Sequence, residues 1–189
     1  MRLLLAATAF LAAGQARAQT FETFQKYCLE SGDEPAQMLL AARGAGWQTD
    51  EGNASLPEDM QLTLLSWPSP EAHDNGMLMI GHMASPTGIP TPYCSVLGGE
   101  TEHELASRVT EWAGFEPGKS GQGNETWVYT VSESGPVAQP DLVGADDAKL
   151  VAAARSRGTV HAIQVRRARA GPFLFRISVA PDATSTSTH

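Results

Sequence analysis

The stretch from Gly76 to Leu97, GMLMIGHMASPTGIPTPYCSVL, reads as a strand, a Pro/Gly turn and a return strand. Successive strand side chains point to opposite faces, so Met77, Met79 and Met83 share one face and His82 takes the other. That parity decides between two readings. Three thioethers and an imidazole suit Cu(I), but only a bulge near Gly81 would bring His82 to the methionines. Without one, the methionines are adaptable core filling set against a helix. The return strand, around Tyr93 to Leu97, places Cys94 and Val96 on one face, and Gly98-Gly99 closes it.

Cys94 leads outward to Cys28, the other of the two cysteines. Cys28 ends a helical stripe with Phe21, Phe24 and Tyr27, so its thiol sits on the face a helix would bury. No C-x-x-C spacing suggests redox chemistry. In an oxidising compartment the pair reads as one structural disulfide, Cys28–Cys94. Closing a loop of that length contributes about 4 kcal/mol in the chain-entropy model.

The compartment is read from the N-terminus. Residues 1–18, MRLLLAATAFLAAGQARA, join a cationic start at Arg2, an apolar run and an Ala16-Arg17-Ala18 cleavage site. The run is too short to span a bilayer, so it reads as a signal peptide cleaved near Ala18, with the product periplasmic or secreted. No later run approaches spanning length and no cysteine follows the leader, so no stable membrane anchor is expected. The expected organisation is a leader over 1–18, one domain over 19–180, and a tail over 181–189 that its composition marks as disordered.

The chain carries a net charge of −8. Loss of Arg2 and Arg17 with the leader leaves 11 basic against 21 acidic residues, a net charge of −10. Such a surface repels nucleic acid and anionic lipid, and neither is an expected partner. The basic residues Arg155, Arg157, Arg166, Arg167, Arg169 and Arg176 nevertheless gather toward the C-terminus.

Helix boundaries are written in several places. Asp33 as N-cap, Pro35 in the first turn and Gly44 at the end bracket a helix over Ala36–Arg43. Thr101 and Glu104 have capping-box spacing before the stripe Leu105, Val109, Trp112. Asp146 to Arg157 is an Ala-rich helix ended by Gly158. Strands are expected over Gln61–Trp67, residues 77–84, Tyr93–Leu97 and Thr126–Ser132. A final hairpin pairs Thr159–Arg167 with Phe173–Val179. In its last strand Phe173, Phe175, Ile177 and Val179 alternate with Leu174, Arg176 and Ser178, which predicts a packed face and a wet face. The fold class is α+β: an antiparallel sheet of five or six strands with helices packed on one face.

Four constellations touch on chemistry. Residues 113–120, AGFEPGKS, loosely match a P-loop but follow a helix and lead to a strand, the reverse of the context phosphate binding needs. Glu102-His103-Glu104 has metal-ligand types, but an H-E-x-x-H site would need a histidine where Ser107 stands. No G-x-S-x-G elbow marks a hydrolase. Arg166 and Arg176, placed on the wet face of neighbouring strands, are the candidates for contact with a carboxylate, a phosphate or an acidic partner.

No catalytic residue, metal site or cofactor is assigned. The sequence points to an exported small globular protein that binds a small ligand or an envelope protein without catalysis. The alternative is a small exported enzyme or metal-binding protein whose site is assembled from dispersed His, Asp and Glu residues, with His73, His82, His103 and His161 the histidines to watch.

Overall fold

A computed structural model describes residues 20–49, 60–66, 76–85, 88–120, 123–168 and 171–183. The expected leader, His73 and residues 184–189 lie outside these. Among the described residues four α-helices accompany one antiparallel sheet of nine strands.

The chain enters through α1 (Thr20–Phe24), which widens into a π-helical turn over Gln25–Leu29. The predicted stripe is buried, with Phe24 and Cys28 fully enclosed and Phe21 and Tyr27 nearly so. α2 (Pro35–Gly44) follows, but its N-cap is Glu34 and no side chain caps it. Asp33 is instead turned toward a buried arginine on the sheet. The strands β1 (Gln48–Thr49), β2 (Met60–Ser66), β3 (Met77–Ala84) and β4 (Pro90–Leu97) then form a meander.

α3 (Glu102–Ala113) starts on the predicted capping box. The Thr101 hydroxyl accepts from the Glu104 N–H at 3.2 Å, and the Glu104 carboxylate accepts from the Thr101 N–H at 2.8 Å. β5 (Gly118–Lys119), β6 (Glu125–Ser132) and β7 (Gly135–Ala138) come next. α4 (Asp147–Arg157) is capped by Asp146, whose carboxylate accepts from the Lys149 N–H at 2.8 Å. The hairpin of β8 (Val160–Ala168) and β9 (Gly171–Val179) completes the sheet.

Strand order is β1-β2-β3-β4-β9-β8-β6-β5, with β7 also paired to β6. The sheet therefore grows inward from both edges. One half runs from α1 through β4 and the other from α3 through β9, with α4 between β7 and β8, and they meet where β4 pairs with β9.

The strand count corrects the expected five or six. β1 and β5 are two-residue edge strands, and β7 is a short, partly exposed one. All three lie in polar or Gly-rich segments outside the expected strands, where no apolar alternation exists to be seen.

The helix arrangement corrects a second expectation. One core cluster joins α1, α2 and α3 to Leu65, Leu78, Ile80, Cys94, Val96, Trp127, Ile163 and Leu174. A second joins Val151, Ala153 and Ala154 of α4 to Val128, Val160 and Val179. Val128 neighbours Trp127 in one strand, so the clusters lie on opposite faces of the sheet. Three helices cover one face and α4 covers part of the other.

The β2–β3 register runs unbroken from Met60↔Met83 to Ser66↔Met77, with no bulge at Gly81. His82 thus stays on the face opposite Met77, Met79 and Met83. Those methionines are only half-buried, however. The residues that meet the helices are Leu78 and Ile80, both fully enclosed, which corrects the reading of the methionines as helix-facing core.

The Cys28–Cys94 disulfide is present, its Cα atoms 5.5 Å apart. It ties the π-helical turn to the middle of the sheet. No helix among the described residues is long and apolar enough to cross a membrane.

Candidate functional site: a polar floor under the helical layer

On the helix-covered face, the sheet carries a polar group at the end where β8 begins and β9 finishes. Tyr129 pairs in register with His161, and His161 with Ser178. Ile163 pairs with Arg176, and Arg176 with Cys94. Cross-strand partners share a face, so Tyr129, His161, Arg176 and Ser178 form one patch. Each is 3% exposed or less. Burying so much polar and charged surface is costly unless partners compensate.

The partners come from the segment between the π-helical turn and α2. Gly32 has φ +91, a left-handed conformation that glycine adopts without a Cβ penalty. Its carbonyl accepts from Arg176 Nη2 at 2.8 Å. Asp33 Oδ1 stands 3.3 Å from the same nitrogen and 3.8 Å from His161 Nδ1. His161 Nδ1 is also 2.9 Å from Ser178 Oγ. The Tyr129 ring stacks on His161 with centroids 5.0 Å apart and meets Trp112 edge-on at 5.4 Å.

Burial, reinforced by the Arg176 cation and opposed by Asp33, pushes the His161 pKa down to about 4. The imidazole is therefore neutral at physiological pH, and its approach to Asp33 is not an ion pair. Burial pushes the Tyr129 phenol up to about 12 against the pull of Arg176, so it stays protonated and can donate.

Over this floor lies an open cavity of about 530 Å³. Tyr129, His161 and Arg176 line its base; Trp112, Val131 and Pro136 form an apolar side; Glu30, Asp33 and Arg157 stand around it. Val131 is 66% exposed. Its volume falls in the range of small-molecule sites, about 300–1,000 Å³. Arg157 is already committed: both its terminal nitrogens take the Asp141 carboxylate at 3.0 Å, and one donates to Gln139.

Ser178, His161 and Asp33 have the residue types of a hydrolytic triad but not its wiring. Hydroxyl and carboxylate both approach Nδ1, whereas a relay needs them on opposite ring nitrogens. Ser178 is also sealed in.

The structure brings Arg176 into this site but separates it from Arg166. Their register partners, Ile163 and Phe173, lie on opposite faces, which corrects the reading that put both arginines on one wet face. Leu174, Arg176 and Ser178 are all buried because the helical layer lies over them, while in the other set Phe175 and Val179 are buried and Phe173 and Ile177 remain half-exposed. Arg166 rests over the Phe175 ring, 5.0 Å from its centroid, and donates to Gln164 at 2.8 Å.

Elsewhere, His103 is exposed and lines a shallow cavity beside Glu102, Lys119 and Glu125. His82 is half-buried in β3. Among the described residues, no three His, Cys, Asp or Glu side chains are grouped to hold a metal ion. Residues 113–120 run from the end of α3 through a left-handed Gly114 into β5. Sequence reasoning missed Asp33, Tyr129 and Ser178 as site residues. The one available signal was Arg176 alternating with apolar neighbours, and that pattern fits either face. No family model, curated protein or solved structure matches the chain.

Proposed function

We propose that the chain is an exported, non-catalytic binding protein that takes a small ligand in the cavity above Tyr129, His161 and Arg176. One observation carries this reading: a phenol, an imidazole and a guanidinium, each almost wholly buried, converge on the base of an open cavity. An apolar row there would pack as well without the desolvation cost, and departures from local consistency of this kind concentrate at functional sites. The disulfide supports export to an oxidising compartment, in keeping with the leader over residues 1–18. Binding is favoured over catalysis because the imidazole lacks a relay and the serine is enclosed.

The test is a thermal-shift screen of the purified chain against a small-metabolite panel, repeated on Val131→Trp. Val131 is an exposed wall residue, so a bulky replacement obstructs the cavity with little effect on the fold. Stabilising compounds whose effect disappears in Val131→Trp support the reading. Hits that persist unchanged, or a panel without hits, count against it.

A further inference from the structure

We propose that Arg176 is the anchor for a ligand carboxylate, and that Asp33 occupies that anchor as an internal placeholder when no ligand is bound. The inference rests on the reading of the cavity as a ligand pocket and names the class of compound it takes.

Two arginines of the molecule, Arg157 and Arg176, hold their carboxylate partners differently. A guanidinium is a planar fork that takes a carboxylate best through two parallel N–H···O bonds. Arg157 does this, holding both Asp141 oxygens at 3.0 Å. Arg176 does not. Only Nη2 meets Asp33, at 3.3 Å, and that nitrogen also donates to the Gly32 carbonyl at 2.8 Å.

The burial of the two partners differs as well. The Arg176 side chain is 4% exposed and the Asp33 side chain 44%. The Gly32 carbonyl and the Tyr129 hydroxyl also bond this guanidinium, so it does not want for hydrogen-bond partners. What it lacks is a well-seated counter-charge: the Asp33 carboxylate stands half in water and meets a single nitrogen. A carboxylate entering the cavity can supply the two-pronged contact and release Asp33 to solvent at small cost.

The rest of the cavity describes the remainder of the ligand. Trp112, Tyr129, Val131 and Pro136 offer aromatic and aliphatic surface. The protonated Tyr129 phenol can donate a further bond to a carboxylate oxygen. The ligand class is therefore a small organic acid with an apolar or aromatic body. A cationic ligand would meet the acidic rim favourably but would have to settle against the buried guanidinium at the base.

Three probes with a common body separate the possibilities: phenylacetate, phenylacetamide and phenethylamine. Binding is followed on the purified chain through the Trp112 indole and Arg176 side-chain NMR resonances. Phenylacetate should bind about tenfold or more tightly than its amide, the scale of one charge-assisted contact. Asp33→Asn, which weakens the placeholder, should tighten phenylacetate several-fold and leave the amide unchanged. Arg176→Gln should erase the preference for the acid; should that variant fail to fold, Asp33→Asn carries the test alone.

Equal binding of acid and amide, or a preference for the amine, overturns the carboxylate anchor and leaves the pocket itself standing. Weaker phenylacetate binding in Asp33→Asn overturns the placeholder role and makes Asp33 part of the ligand's own contacts. If no probe moves either resonance in the wild type or in Asp33→Asn, the anchor falls, while the metabolite screen on Val131→Trp judges the pocket separately.

Discussion

Cys94 lies directly opposite Arg176 in the β4–β9 register, so the disulfide and the buried guanidinium are lateral neighbours on one face of the sheet. The other half-cystine, Cys28, stands four residues before Gly32, whose carbonyl Arg176 holds. The bridge therefore fixes the segment that closes over the polar floor. Its role extends beyond lowering the entropy of the unfolded chain.

Replacing both cysteines, Cys28→Ser with Cys94→Ser, should lower stability by about 4 kcal/mol, as expected for a loop with a sequence separation of 66. Urea unfolding with and without reductant measures this. Amide exchange should also quicken in residues 28–34 before it does in α3, because the tether is lost locally while the sheet keeps its ladder. Uniform acceleration across both regions would show that the bridge does not specifically hold this segment.

The sequence made the elements legible where end signals coincide with periodicity. Thr101 and Glu104 announce α3, Asp146 and Gly158 bracket α4, and the unbroken parity of β3 keeps His82 from the methionines. What it could not supply was which face of a two-sided strand the helices would choose. In β9 both the Phe175 set and the Leu174 set can pack, so Arg176 read as exposed when it is enclosed. Asp33 was misread for a related reason. Its sequence context offers it a helix N-terminus, but a buried cation 144 positions away from Gly32 draws the segment instead. Contacts of that range leave no local trace, and the site is built from them.

Glu100 should prove to be the clamp at the start of the described chain. Its buried carboxylate accepts from the Phe21 N–H at 2.9 Å and faces Arg108 at 3.5 Å. Glu100→Ala strands that backbone donor and is expected to cost about 2–3 kcal/mol. Glu100→Gln keeps an acceptor for Phe21 and should restore most of the loss. The Arg108–Glu22 pair, more exposed, should contribute far less, so Glu22→Ala is the control. Denaturation midpoints of the three variants give the order.

Gly81 is required by contact with its neighbouring strand. A Cβ there would lie 1.9 Å from the Gln61 carbonyl oxygen and 2.8 Å from Leu62 Cα, both parts of the β2 backbone. No side-chain rotation can relieve that overlap. Gly81→Ala should therefore push β2 from β3 and destabilise the protein by about 1–3 kcal/mol, the usual range for overpacking. Gly114→Ala meets no atom within 4 Å but forces a left-handed φ on alanine, and separates backbone strain from steric contact. Protection of β2 amides should fall in the first variant alone.

His161 gives the fold a specific acid response. In the unfolded chain an imidazole takes up its proton near pH 6.5, whereas His161 in the fold resists until about 4. Between those values the unfolded state binds more protons, so stability falls as the pH falls. It is fully present above about pH 6.5, and the loss accumulated by pH 4 is about 3 kcal/mol. The charged and titratable groups facing the ring are Asp33, Arg176 and Tyr129. The phenol, pushed up to about 12, does not titrate in this window. His161→Gln cannot ionise and should flatten the dependence of urea midpoint on pH between 4 and 6.5. An unchanged slope in that variant would assign the acid response to the carboxylates instead.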